Sequence, residues 1–397
     1  MSDVQQISIG LLWHSSNAGN LGVGALTVGN LIAARQAASA VGLRPRFRIL
    51  EVTGDFGGAY VRSDDIETFQ ITGRSMVSPS GYWAGLGSLD CILDIGAGDS
   101  FADIYGAKRF AYLAATKELA YLRGVPLLFS PQTIGPFTKE PYRSIAAHLM
   151  TRAVAVIARD PQSMEAVRQI APSARAVQSV DVAFRLPFER PARRRSRRLE
   201  VGINVSGLLF SGGYGGGNEF GLQVDYATLM RRFIGAVVAR KDARAHLICH
   251  VNSDKLARDD DGAVADQLAR EFPDAVRAPD FASPSDAKSY IAGLDFLTAG
   301  RMHACIAAFS AGVPVVPIAY SRKFSGLFEG VLGYPYSVPV KGLSTEQALA
   351  YLLDCLDRRE ELATAIDAGQ AIVASALAVY DSELQTLFRS AAGRARA

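Results

Sequence analysis

Short apolar runs alternate with longer segments of helical periodicity along most of this chain. Ile7–Trp13 (ISIGLLW) leads through a glycine-rich turn into Ala25–Val41, whose apolar residues recur at helical spacing. Arg46–Val52, Cys91–Ile95 (CILDI), Pro126–Phe129 (PLLF) and Ala155–Ala158 read as further strands, with helices over Phe110–Arg123 and Pro141–Arg152. A short run that is apolar on both faces suits a strand covered on both sides, as in a parallel sheet. Strands alternating with helices in this way predict an α/β fold. The pattern restarts at Glu200–Asn204. It continues through strands at Ala245–Cys249, Phe296–Ala299 and Val313–Ile318 and helices at Tyr226–Arg240, Gly262–Glu271, Ser285–Ala292 and Ala304–Ser310. Thr345–Arg389 reads as mostly helical.

A chain of 397 residues exceeds the usual size of one hydrophobic core. The expected organisation is therefore a Rossmann-like domain over residues 1–189, a basic linker over 190–198, a second Rossmann-like domain over 199–344 and helices over 345–397. The fold class is α/β, two Rossmann-like domains with a central cleft, where a ligand would sit beyond the carboxyl ends of the strands. The linker, RPARRRSRR, reads as a solvated connection in preference to a patch drawn to an anionic membrane surface.

Composition narrows the function. Apolar residues make up 49% and charged residues 20%, the balance of a globular protein. The net charge of +3 is small for a nucleic-acid binder. Cys91, Cys249, Cys305 and Cys355 are widely spaced among apolar neighbours, which predicts buried free thiols in a reducing compartment. No signal peptide or bilayer-length apolar run is evident in the sequence, so a cytoplasmic protein is expected, with contact to the inner membrane face as the alternative that the basic linker allows.

Four segments carry candidate chemistry, each at the end of a strand. Asn17, Gly19, Asn20 and Gly22, in Asn17-Ala18-Gly19-Asn20-Leu21-Gly22-Val23-Gly24, bring backbone N–H groups and a helix start together, as an anion site needs. A tight structural turn would use the same glycines. Gly98, Asp99 and Asp103 follow CILDI. The two carboxylates suit a base or sugar-hydroxyl contacts and equally suit a helix cap. Arg159 follows an apolar strand after Ser130-Pro131-Gln132-Thr133, and its planar fork suits a carboxylate or phosphate; the plain reading is a local pair with Asp160 or a cap. Gly300-Arg301-Met302-His303 runs from a strand into an apolar helix, and Lys323 follows the next strand. Arg301 and Lys323 suit an anionic substrate, and His303 can move a proton near neutral pH. The loop Ser211–Asn218 reads either as a lid or as a surface loop.

With these residues in place the chain resembles the polysaccharide pyruvyl transferase family, in order from Ile9 to Gly333. The resemblance is carried by NAGNLGVGAL, DIGAGDSFAD, SPQTIGPF, ARDPQS, SVDVAF, GRMHACIAAFSAGVPVVPIAY and the lysine of SRKFSGL. It implies a GT-B-like fold and transfer of the enolpyruvyl unit of phosphoenolpyruvate to two hydroxyls of one sugar as a pyruvate ketal. It implies phosphoenolpyruvate as co-substrate, a glycan acceptor, free or lipid-linked, no dinucleotide cofactor and no tightly held metal. It also implies that Arg159 and Arg301 hold phosphoenolpyruvate and that His303 is catalytic. The chain departs from the family where the first loop often carries an acid, here Val23, and where the second often has three glycines, here Gly96-Ala97-Gly98-Asp99.

Two other readings stay open at this stage. One is a nucleotide-sugar glycosyltransferase on the same fold, with Glu329 as the carboxylate for a ribose. The other is a non-catalytic sugar- or anion-binding protein of polysaccharide assembly.

Overall fold

The computed structural model describes residues 4–52, 59–191, 198–253 and 257–394. Residues 192–197, the greater part of the basic linker, lie outside the described residues. The chain divides into two compact units. Unit 1 holds residues up to Ala18, Leu26–Arg185 and the chain from Val373; unit 2 holds Gly19–Ala25 and Leu186–Ile372.

Unit 1 is built on β1 (Gln6–Leu12), α1 (Leu21–Ala40, its first turn counted with unit 2), β2 (Arg44–Glu51), β3 (Ile66–Gln70), α2 (Gly73–Val77), α3 (Tyr82–Leu86), β4 (Cys91–Asp94), α4 (Ala107–Leu122), β5 (Leu127–Gln132), α5 (Tyr142–Arg152), β6 (Val156–Ala158), α6 (Pro161–Ile170) and β7 (Ala176–Gln178). Its seven strands pair in the order β3-β2-β1-β4-β5-β6-β7, all parallel. Every residue of β4 and β5 is buried, which is why these segments read as unbroken apolar runs. Phe101, Phe110, Phe129 and Phe137 pack within this core, with Phe101 and Phe137 edge-on at 5.1 Å between centroids.

Unit 2 repeats the scheme with β8 (Leu199–Asn204), α7 (Gly207–Phe210), α8 (Tyr226–Val238), β9 (Ala243–Leu247), α9 (Asp261–Glu271), β10 (Val276–Arg277), α10 (Pro284–Ile291), β11 (Phe296–Ala299), α11 (Met302–Ser310), β12 (Val315–Pro317), α12 (Arg322–Phe328) and α13 (Thr345–Asp357). Its strands pair as β10-β9-β8-β11-β12, again parallel. Helix starts are set by side-chain caps: Asp160 for α6, Asp225 for α8, Asp260 for α9 and Ser283 for α10. Such caps stabilise a helix by about 1 kcal/mol each.

The unit boundaries differ from those expected at 190–198 and 344. Leu186 to Pro191 is tied into unit 2: the buried Lys288 Nζ donates to Leu186 O (2.7 Å), and the Arg190 guanidinium donates to Ala292 O and Ala311 O. The helical C-terminal stretch is not a separate body. α14 (Arg359–Arg394) begins in unit 2 and from Val373 belongs to unit 1. There Tyr380 is buried, and its hydroxyl donates to Asn30 Oδ1 (2.6 Å) and hydrogen-bonds with Ser130 Oγ (2.9 Å). Asn30 Nδ2 reaches His14 Nε2 (2.9 Å), whose ring is held by Leu12 O (3.1 Å). Among the described residues α14 is the one helix long and apolar enough to cross a membrane by composition. Along that apolar stretch Leu362, Ile366, Val373 and Leu377 are buried, while Ile372 and Val379 are exposed. All four cysteines are buried and free.

Candidate functional site

In each sheet the strand order reverses at one point, between β1 and β4 in unit 1 and between β8 and β11 in unit 2. The carboxyl ends of strands at such a switch point are where α/β proteins bind ligands. Asn17 follows β1 and Gly98 and Asp99 follow β4 at the first point, and Arg301 and His303 follow β11 at the second.

In unit 2, Asn204 ends β8 and stitches the switch point together. Its carbonyl accepts from Gly300 N (3.2 Å), and its Oδ1 accepts from Arg301 N (3.1 Å). Its Nδ2 donates to Ile248 O and to Asp261 Oδ2, both at 3.0 Å. Asp261, with 0% exposure, is the hub beneath this junction. Its carboxylate accepts from Gly207 N (2.9 Å), from His250 N (3.3 Å), and from Arg301 Nη2 (2.7 Å) and Nε (3.1 Å). Asp259 Oδ1 takes a further bond from Arg301 Nη2 (2.7 Å). Burial works against the Arg301 charge, but Asp261 and Asp259 outweigh it and hold the guanidinium charged.

Arg301 is the N-cap residue of α11, and His303 lies in that helix's first turn. The first glycine segment belongs to the same unit. Asn20 bridges Val251, Leu21 N donates to His250 O (3.1 Å), and Asn252 N donates to Gly19 O (3.1 Å). This brings Gly22 against His303: a side-chain carbon on Gly22 would overlap the Nδ1 and Cγ of the imidazole. His250 is buried close by, and burial, reinforced by the neighbouring His303 and Arg301, lowers its pKa to about 3. Lys323 sits in the first turn of α12, after Tyr320, whose ring meets Phe220 edge-on at 4.9 Å. Phe220 lies in the loop between α7 and α8, which is held by its own hydrogen bonds. Glu219 Oε1 accepts from Gly215 N (2.7 Å), and Asn218 Oδ1 accepts from Leu222 N (2.9 Å).

In unit 1 the switch point is conformationally strained. Trp13 and Ala97 both have positive φ, 60° and 50°, and Ala97 N donates to Trp13 O (3.2 Å). Below it lies a fully buried ion pair, Lys117 Nζ to Asp94 Oδ1 at 3.0 Å. Burial drives the Asp94 pKa up and the Lys117 pKa down, each opposed by the other's charge. Gln132 Nε2 donates to Asp94 O (2.9 Å) and reaches Asp94 Oδ2 (3.3 Å). Arg159 is 2% exposed. Its Nη1 pairs with Asp181 Oδ2 (2.6 Å), while its Nε has no hydrogen-bond partner among the described residues. The partner of Arg159 is thus Asp181 and not Asp160, which caps α6.

The structure therefore places Asn17, Gly98, Asp99, Asp103 and Arg159 in unit 1, and Gly19, Asn20, Gly22, Arg301, His303 and Lys323 in unit 2. Asp99 Oδ2 accepts from Tyr105 OH (2.8 Å). Asp103 Oδ2 accepts from Thr138 N (2.5 Å), Thr138 Oγ1 (2.9 Å) and Lys139 N (3.2 Å), the bonding of a turn anchor. Asn17 Oδ1 is buried without a hydrogen-bond partner among the described residues. Sequence reasoning missed Asp259, Asp261, Asn204, His250 and Asp181 as partners of these groups. Only Asp181 stood in a quoted motif, SVDVAF.

Solved structures of low sequence identity share the fold of this chain. Anabaena HepE in complex with UDP and glucose is 14% identical, covers 97% of this chain and 100% of its own, and superposes with a TM-score of 0.58. Sucrose-phosphate synthase from Thermosynechococcus elongatus is 12% identical over 97% and 98% of the two chains, with a TM-score of 0.58. UDP-GlcNAc 2-epimerase from Neisseria meningitidis bound to UDP-GlcNAc is 10% identical over 96% and 100%, with a TM-score of 0.55. At these identities the likeness shows the GT-B-like α/β fold and nothing about the substrate. No curated protein matches the chain in sequence. The family profile of polysaccharide pyruvyl transferase matches residues 35–322, a span that holds Gly98, Asp99, Asp103, Arg159, Arg301 and His303 and leaves Asn17–Gly22 and Lys323 outside it. The match covers well over half of the chain, which belongs to the polysaccharide pyruvyl transferase family.

Proposed function

We propose that the protein transfers the enolpyruvyl unit of phosphoenolpyruvate to two hydroxyls of one sugar in a polysaccharide or its lipid-linked precursor, closing a pyruvate ketal and releasing phosphate. The observation that carries this reading is the setting of His303 within a chain that matches the family. The imidazole stands on the first turn of α11, and its neighbour Arg301 is fixed by Asp259 and Asp261.

In the proposed reaction a proton is added to the methylene carbon of phosphoenolpyruvate, and positive charge develops at the adjacent carbon. One sugar hydroxyl attacks that carbon and gives up its proton. The second hydroxyl then attacks, phosphate departs with the electron pair of its C–O bond, and the ring closes. Two O–H bonds are broken and two C–O bonds formed; one proton ends on the new methyl group and the other on phosphate. His303 is the group that moves a proton in this sequence. The anionic donor needs positive charge around it. Lys323, in the first turn of α12, and the N–H groups of the first turn of α11 are assigned to the donor in unit 2. In unit 1, Arg159, held by Asp181 through Nη1, is assigned to an anionic group of a substrate.

The test is mass spectrometry of reactions with phosphoenolpyruvate and a panel of synthetic or lipid-linked glycosides, beside parallel reactions with UDP-sugars. A ketal mass gain with phosphate release supports the proposal. Release of UDP with glycosyl transfer, and no reaction with phosphoenolpyruvate, overturns it in favour of the glycosyltransferase reading. Phosphate-free, product-free mixtures with retained glycan binding would favour a binding protein.

A further inference from the structure

We infer that Gly22 sets the orientation of the His303 imidazole, so that the first glycine segment acts on the proton-transferring group and not on a substrate. The inference rests on the proposed role of His303.

Gly19–Ala25 is flanked on both sides by chain of unit 1, yet it is part of unit 2. Three contacts to 250–252 hold it there: the Asn20–Val251 bridge, Leu21 N to His250 O and Asn252 N to Gly19 O. Asn20 then fixes the start of α1. Its Oδ1 accepts from Gly22 N (2.9 Å), and its carbonyl accepts from Val23 N (3.1 Å). Gly22 is buried within this turn and lies so close to His303 that a methyl group in its place would overlap the ring.

Backbone conformation does not demand glycine at 22, since it lies in the helix α1 and is not among the residues with positive φ. Within a helix glycine is less favourable than alanine by about 1 kcal/mol. The bare α-carbon therefore serves the space it leaves. The opposite side of the arrangement is rigid as well, because Arg301, at the start of α11, is bound to Asp259 and Asp261. With the helix start held and Gly22 pressed to the ring, an added methyl group is relieved most cheaply by rotation of the His303 side chain, the flexible partner in the overlap.

The test is Gly22→Ala in the full chain, read in three ways. The melting temperature should hold or rise. Turnover with phosphoenolpyruvate should fall about 100-fold while the donor KM stays within about threefold, the effect of a small misplacement of a catalytic group. In a His303→Ala background the same change should have no further effect on turnover. The third reading needs no activity. Among the five histidines, the imidazole resonances and titration of His303 should move most, with those of His14, His148 and His246 unchanged. Wild-type turnover with an unmoved His303 titration overturns the inference. A fully active His303→Ala variant overturns the catalytic reading alone, since the resonance shift then still reports positioning. If Gly22→Ala does not fold, Asn20→Ala, which releases Gly22 N without adding bulk, must shift the His303 resonances, and an unmoved spectrum counts against the inference.

Discussion

Asp261, fully buried, receives both the Nε and the Nη2 of Arg301, and Asp259 receives Nη2 a second time. One cation faces two carboxylates. An arginine so engaged fixes the junction of β11 and α11 first and offers charge to a ligand second.

Arg301→Ala should therefore destabilise the fold and not only weaken donor binding. Removing one partner of a buried pair leaves the other charge uncompensated, at a cost of roughly 3 to 5 kcal/mol. Asp261→Ala should cost a similar amount, and the double variant less than the sum. Urea unfolding of the three variants measures this. An Arg301→Ala protein as stable as the parent, with only a weakened donor affinity, would show Arg301 to be a ligand clamp instead.

His303→Ala should behave otherwise. The ring is half-buried on the first turn of α11, whose N-cap residue is Arg301. Stability and donor affinity should stay near parental values while single-turnover phosphate release slows by roughly 10² to 10⁴-fold. Calorimetric titration beside rapid-quench kinetics separates the two quantities.

Acid should destabilise the protein through His14 and His250. Burial lowers each pKa to about 3, against 6.5 in the unfolded chain. Between these values the unfolded chain binds more protons, so stability rises with pH through the interval and is lost as pH falls below about 6.5. The slope is at most about 1.4 kcal/mol per pH unit for each histidine. Urea midpoints from pH 7.5 to 4.5 should fall, and His14→Gln should flatten the profile. A profile as steep in that variant as in the parent would assign the acid sensitivity to other groups.

Turnover should persist in EDTA. In the proposed reaction cationic side chains supply the positive charge that a divalent cation supplies elsewhere. Loss of activity in chelator, restored by magnesium or manganese, would remove that assignment.

The alternating pattern was legible because its central strands are buried on both faces. Cys91–Ile95 was expected as a strand and Cys91–Asp94 is one; Phe296–Ala299 agrees residue for residue. The edges were not legible. β3 is exposed at three of its five positions, and β10 has two residues, so neither leaves an apolar run. Asp160 followed by Pro161 is the local signal that starts α6. At the site, Arg301 and His303 stood out as an Arg-x-His step at a strand end. Asp261 did not, because in the run Asp259-Asp260-Asp261 the middle residue is the helix cap and its neighbour turns inward. Which acid faces the core depends on a guanidinium 40 residues further along. The division of the first loop between two units is likewise a property of long-range contacts and has no local signature.

The Tyr380 network also orders events during synthesis. Asn30 and Ser130 emerge from the ribosome long before the hydroxyl that joins them, since Tyr380 follows the whole of Leu186–Ile372 in the chain. Unit 2 has all its residues once Ile372 is made, whereas unit 1, begun first, is complete only with the chain from Val373. A chain truncated before Val373 would thus hold every residue of unit 2 and lack the helix that closes unit 1.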